Sequence, residues 1–245
     1  MTLAGFAFFL LWMAVLIAIS FFTDWLLARI FPNRSHRIFV GLGVIVHELS
    51  HWFACIITRT KVFEVSFFDE TGGHVKHEVR GPVLMSFIAM APLIGCSLFL
   101  MLLAWLFQLG GVHFEQGSIN LNDPASSMMS IMTAAGVTMW KNFTAFSLAT
   151  VLFILFLYLD WSVVACLAPS RPDLGHAALG MLILCIICSL TIYFHPLGFL
   201  GFGPTPALDF ILQYVSQAIG VGIIMTIIPL IIAIPVAIIK SRRGI

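Results

Sequence analysis

Hydrophobic residues along this chain fall into six long runs separated by short polar connections. A run of about 20 apolar residues forms a helix long enough to cross the hydrocarbon core of a bilayer, which is roughly 30 Å thick. We therefore predict an all-α polytopic membrane protein with about six transmembrane helices. The predicted spans are Leu3–Leu27, Ile38–Ile57, Val83–Phe107, Phe143–Leu167, Leu174–Phe194 and Ile211–Ile239.

The pattern changes between the second and third predicted spans. Lys61–Phe68 and His74–Val79 alternate between polar and apolar residues and are rich in β-formers, and the turn-forming residues Asp69–Gly73 separate them. This arrangement is typical of a small β-hairpin. A longer polar connection, Gln108–Asn142, follows the third span, and its middle, Ser126–Val137, is predicted to form a short interfacial helix.

The composition supports a membrane location. Hydrophobic residues make up 60% of the 245 residues and charged residues 9%, whereas soluble domains carry roughly 25% charged residues. We expect one membrane-embedded domain over residues 1–245 that lies in a lipid bilayer. A net charge of +1 argues against a strongly basic nucleic-acid-binding surface, so we expect no nucleic-acid partner.

The second predicted span contains the sequence His47-Glu48-Leu49-Ser50-His51. Two histidines four residues apart share one face of a helix. That spacing suits the binding of a zinc ion, and the glutamate beside the first histidine is placed to act as general base. Such side chains are costly inside a membrane and therefore indicate a functional role. We predict that His47 and His51 bind one Zn²⁺ per chain and that Glu48 is catalytic.

A catalytic zinc ion usually has a third protein ligand. Asp173 is the favoured candidate because it follows Ala168–Pro172, where two prolines interrupt an apolar helix. Irregular backbone at membrane depth is tolerated only where it is buried in protein or lines a cavity. Asp160, deep in the fourth span, is the main alternative, either as the ligand or as the partner of a ligand. Weaker candidates are His176, His195 and Asp24.

Taken in this order, the zinc motif, the hairpin, a third span with small residues and an aspartate at a proline-broken helix resemble the site-2 protease family of intramembrane zinc metalloproteases. The resemblance covers about residues 38–194, with the spans at 3–27 and 211–239 as additions. Ala168–Leu174 and Ala91-Pro92-Leu93 are similar to a prokaryotic subgroup. The chain departs from better-known members in having Leu174, not glycine, directly after Asp173.

The resemblance implies an integral protein of a prokaryotic cell membrane that hydrolyses peptide bonds of transmembrane or membrane-proximal substrates. Its partner would be a substrate helix, its metal ligands His47, His51 and Asp173, and its general base Glu48. The distribution of Lys and Arg predicts the orientation. Eight of these residues lie on the side of the hairpin and the termini and four lie on the other, so we expect the active site toward the cytosol.

The same residues are compatible with two other functions. One is a membrane zinc protease that acts on soluble or prenylated peptides. The other is a non-catalytic zinc-binding or transport protein. Transport would require further His, Asp or Glu residues along several spans, and the spans outside the candidate site contribute only Asp24 and Asp160. A scaffold with a vestigial site would tolerate substitution of Glu48.

Overall fold

A computed structural model describes residues 40–69, 72–120, 123–167, 171–194 and 218–227, and short pieces at 17–18, 20–23, 25, 214–215 and 234–235. It confirms a mainly helical chain with a β-hairpin between the second and third predicted spans. The main elements are α1 (Gly41–Ile57), β1 (Val62–Asp69), β2 (Gly72–His77), α2 (Pro82–Leu109), α3 (Pro124–Thr144), α4 (Leu148–Ala165), α5 (Arg171–Phe194) and α6 (Ala218–Ile227).

Two helices in the described part of the chain, α2 and α4, are long and apolar enough to cross a membrane. Two shorter apolar helices, α1 and α6, accompany them. The predicted first span, Leu3–Leu27, and the ends of the last one fall mostly outside the described residues. The arrangement with six spans therefore stays a prediction.

Helix α1 packs tightly between α2 and α4. A methyl group at Gly43 would collide with the carbonyl group of Ser162 on α4, and one at Gly95 of α2 would collide with the side chain of Ser50. The amide N–H of Gly43 donates to the hydroxyl of Ser162 at 2.9 Å, which satisfies one of the free donors at the start of α1. These close crossings bring the polar residues of α1 within reach of both neighbouring helices.

Helix α3 provides hydrogen bonds to the extended segment at residues 112–120. Backbone N–H groups of this segment donate to α3 side-chain oxygens at 2.7–3.0 Å. The helix thus takes the place of a neighbouring strand, which explains its buried polar residues. The donor and acceptor pairs are His113 with Asn142, Glu115 with Thr138, Ser118 with Ser130, and Asn120 with Ser127.

Two predicted boundaries near α3 are wrong. The predicted interfacial helix Ser126–Val137 is part of a longer helix that runs to Thr144, and the predicted fourth span starts at Leu148 and not at Phe143. The chain turns at Phe146, which has a φ of 44°. The apolar residues at the end of α3 resemble the start of a span, although they are exposed on a separate helix.

We predict that Asn142→Ala lowers thermal stability. The Asn142 side chain accepts the N–H of His113 at 3.0 Å and donates to its carbonyl at 2.6 Å. Removal leaves both groups without these partners, at a cost of about 2 kcal/mol, or about 4–8 °C in Tm. Thermal unfolding of the purified protein in detergent measures the change.

The matched control is Lys141→Ala, which removes an exposed ion pair with Glu115. This pair lowers the pKa of Glu115, but an exposed ion pair adds little to stability because water and salt screen it. Equal effects of the two substitutions would contradict the structural role assigned to Asn142.

Candidate metal centre

Three side chains from two helices converge on one point. His47 and His51 lie on α1, Asp173 lies in the first turn of α5, and one ligand atom of each lies within 4.8 Å of the others. The Nε2 atom of His51 is 3.2 Å from Oδ2 of Asp173. Both histidines are buried, and the Asp173 side chain is 24% exposed. The cluster can hold a metal ion, as the sequence predicts for these three residues.

Backbone carbonyl groups from neighbouring helices orient both imidazole rings. The Nδ1 atom of His47 lies 2.7 Å from the carbonyl oxygen of Cys166, just after the end of α4. The Nδ1 atom of His51 lies 2.9 Å from the carbonyl oxygen of Ile88 in α2. A carbonyl oxygen only accepts, so each ring donates its Nδ1–H. Each Nε2 is then left with a lone pair for the metal, the usual arrangement of a ligating histidine.

The contact between His51 and Asp173 requires a proton or a cation between the two groups. With Nδ1–H given to Ile88, the Nε2 lone pair of a neutral His51 faces a carboxylate oxygen at 3.2 Å. A proton on either His51 or Asp173, or a metal ion shared by both groups, removes this repulsion. In a tetrahedral site with bond lengths near 2.1 Å, ligand atoms are separated by ~3.4 Å, and this one pair, at 3.2 Å, lies close to that separation.

Asp173 lies on a regular helix and not in the predicted break. The chain is already helical at Arg171, so Arg171 and Pro172 belong to α5 and not to the predicted break. Proline is tolerated in the first turn of a helix because no intrahelical partner is lost there, and a carboxylate in that turn is favoured by the helix dipole. The first turn of α5 therefore places Asp173 beside His51.

The alternative ligands lie elsewhere or outside the described residues. Asp160 is fully buried on α4, and its oxygens have no hydrogen-bond partner among the described residues; Oδ2 faces Gly222 of α6. It belongs neither to the metal cluster nor to the orienting bonds of His47 and His51. His176 is exposed on α5. His195 and Asp24 are outside the described residues.

Glu48 lies between the metal cluster and the hairpin. It is buried on α1, close enough to His51 for the two side chains to interact electrostatically. On its other side it touches Gly73 of β2, where a methyl group would collide with the Glu48 side chain and would lie 2.9 Å from the carbonyl oxygen of Phe67. The position tolerates only glycine at this spacing, so the hairpin can rest directly on the carboxylate.

The hairpin is fixed to α1 beside this contact. The rings of Phe67 and Trp52 meet edge to face with centroids 6.4 Å apart. The strand register shifts between Ser66 and Asp69, and such bulges commonly redirect side chains next to functional sites. The sequence predicts the hairpin but not its contact with Glu48, because Gly73 falls in a cluster of turn-forming residues and a glycine there indicates only a turn.

We predict that Asp173→Ala weakens metal binding and that Asp160→Asn does not. Loss of a ligand should reduce affinity by more than the roughly 10–100-fold that follows loss of an outer-shell partner. Elemental analysis and competition with a chelator on the purified variants measure the change. Retention of the metal by Asp173→Ala, together with its loss in Asp160→Asn, would reverse the ligand assignment.

Comparison of the chain with protein-family models, curated proteins and solved structures gives no significant match.

Proposed function

We propose that this chain is an integral membrane zinc metalloprotease of the site-2 protease type, which hydrolyses peptide bonds of transmembrane or membrane-proximal substrates. The observation that carries the proposal is the buried cluster of His47, His51 and Asp173 with Glu48 beside it on α1. This is the set of groups that metal-assisted peptide hydrolysis requires: three ligands and one general base.

Exposed apolar side chains support the membrane part of the proposal. Helices α2, α4 and α5 each present large apolar residues at helical spacing on their outer surface. Stripes of this size are unusual on a soluble monomer but suit helices that face lipid. On α4 they are Leu148, Val151, Ile154, Leu155 and Tyr158, and on α2 they include Val83, Phe87, Ile94, Leu98 and Leu102. Six spans, with the hairpin in the cytosol, complete the proposed topology.

The donor set supports zinc as the metal. Two imidazole nitrogens and one carboxylate oxygen form the usual ligand set of catalytic zinc sites that keep one position open. Asp173 and Glu48 also bring two carboxyl groups into apolar surroundings, and a divalent cation would balance their charge. Bound there, zinc would acidify a water molecule and polarise the scissile carbonyl group.

Glu48 performs the proton transfers in the proposed reaction. It takes a proton from the attacking water and delivers it to the amine that leaves, as a general base and then a general acid. His47 and His51 are held by the carbonyl groups of Cys166 and Ile88, so neither ring turns during the reaction. Asp173 would supply the third metal ligand from α5.

The candidate site lies near the end of α1 that precedes the hairpin. This position suits a substrate helix that unwinds and emerges partly from the bilayer before it is cut. His51 lies six residues before the end of α1, which is about 9 Å along a helix. A peptide in a helix must unwind before it is cut, because its carbonyl groups are paired. The hairpin has two strands in the described part of the chain, and an outer strand edge can bind an extended peptide by strand addition.

Glu48→Gln tests the proposed reaction. The substitution keeps the shape of the side chain but removes the base, so we expect cleavage of a substrate helix to fall by about 10²–10⁴-fold while bound zinc stays constant. Proteomics of cells that carry the wild type or Glu48→Gln should show single-span proteins that lose their full-length form only with the former.

The matched control is Glu115→Gln. Glu115 pairs with Lys141. Glu115 follows the C-terminal end of α2, whereas the hairpin precedes the N-terminal end of that helix. This variant should therefore retain full activity. Full activity of Glu48→Gln would sink the proteolytic proposal and leave a non-catalytic zinc protein. Processing of soluble peptides alone would favour the alternative protease function.

Gly73→Ala tests the contact between hairpin and base. The added methyl group must displace either the Glu48 side chain or the strand, and a misplacement of about 1 Å can reduce turnover by ~10²-fold. Metal content should not change, since none of the three ligands is touched. Gly136→Ala on α3 is the control, because its surroundings are open. Unchanged turnover in Gly73→Ala would show that the contact does not position Glu48.

A further inference from the structure

The carbonyl group that orients His51 lies inside α2, where a carbonyl oxygen normally accepts the amide N–H four residues later. For Ile88 that residue is Pro92. Proline has no N–H, so it cannot make this helical bond. The Nδ1–H of His51 fills the missing position at 2.9 Å.

We infer that Pro92 is a positioning residue of the metal site: because it has no N–H, the carbonyl group of Ile88 stays available to accept the hydrogen bond from His51. The inference rests on the metal-binding part of the proposed function and is independent of proteolysis. Pro92 would act through Ile88 and His51, without touching metal or substrate.

The packing of α1 on α2 makes this bond possible. The Cα atom of Gly95 faces the side chain of Ser50 with no room for a methyl group between them. The Ser50 hydroxyl donates to the carbonyl of Val46 on its own helix at 2.6 Å, so its proton is not donated to a carbonyl group of α2. His51, the next residue, then reaches Ile88 across the interface.

Burial makes the bond matter. Ile88 is 1% exposed, and His51 and Pro92 are also buried. Water therefore cannot replace either partner, and an unpaired carbonyl or imidazole N–H in this environment is costly. Proline also bends a helix, which turns the carbonyl of the preceding turn away from the axis.

His47 provides an independent parallel. Its Nδ1–H donates to Cys166, which lies at the C-terminal end of α4, where the last carbonyl groups have no helical partner. The carbonyl of Cys166 lies where its helix ends, and that of Ile88 lies where a proline interrupts the helical bonding. Both histidines thus donate to oxygens at places where the regular bonding of a helix stops.

The test compares Co²⁺ binding to the full-length wild type, Pro92→Ala and Pro82→Ala in detergent or nanodiscs. Co²⁺ replaces zinc because its visible absorption reports coordination geometry. An alanine N–H competes for Ile88, so Pro92→Ala should bind Co²⁺ about 10–100-fold more weakly with an altered spectrum. Pro82 is the first residue of α2, where proline costs no bond, so Pro82→Ala should match the wild type.

If Pro92 only stabilised the fold, Pro92→Ala would lower the stability of the metal-free protein. Replacing an interior proline by alanine favours the helix by at least as much as the loss of the His51 hydrogen bond costs, so metal-free Pro92→Ala should unfold at the same temperature as the wild type or higher. A variant with lactic acid, the hydroxy-acid analogue of alanine, at position 92 has an ester oxygen in place of the N–H. It should regain wild-type affinity without the proline ring.

Three outcomes would overturn the inference. They are wild-type affinity in Pro92→Ala, weak binding in the lactic-acid variant, and a loss of metal-free stability in Pro92→Ala that accounts for the lost affinity. Should Pro92→Ala fail to fold, the lactic-acid variant alone decides through its affinity. Failure of the wild type to bind Co²⁺ or Zn²⁺ would instead refute the metal site on which the proposed function depends.

Discussion

The structure depends on giving polar groups partners inside an apolar helical body. Two imidazoles and two carboxylates lie close together around α1, where water is scarce and an unpaired polar group is costly. His47 and His51 obtain their partners from the backbones of α4 and α2, and Asp173 approaches from α5. The need for these partners therefore determines which helices must contact α1 and at which residues along it.

Small residues meet those requirements. The backbone oxygens can reach the histidine rings only where helices approach closely, as they do at Gly43 and Gly95. A third glycine, Gly73, lets the hairpin touch Glu48. Gly73 lies next to Glu48, and Gly95 lies next to Ser50, the residue before His51. Gly43 lies next to Cys166, whose carbonyl orients His47. Packing and chemistry thus impose the same constraint on the sequence, and larger residues at these positions would separate the groups that the site combines.

The sequence predicts the hairpin, the apolar helices and the metal ligands, because periodicity, turn residues and ligand spacing are local properties. It predicts the boundary between α3 and α4 poorly, since exposed apolar residues such as Trp140 and Phe143 resemble part of a span. It also misses the orienting carbonyl groups of Ile88 and Cys166, because every residue has a carbonyl and only the tertiary fold decides which one is near a ring. Pro169 and Pro172 single out Asp173 in the sequence, although the helix begins before it at Arg171.

The way the two rings are held has a consequence for biogenesis. A chain synthesised only as far as α1 contains both histidines but none of the groups that orient them. The carbonyl of Ile88 arrives with α2, that of Cys166 arrives after α4, and Asp173 arrives at the start of α5. The complete candidate site is therefore a property of the assembled helices. The growing chain cannot form the cluster of His47, His51 and Asp173 before residue 173 has been synthesised, so a half-assembled protein lacks the full set of candidate metal ligands.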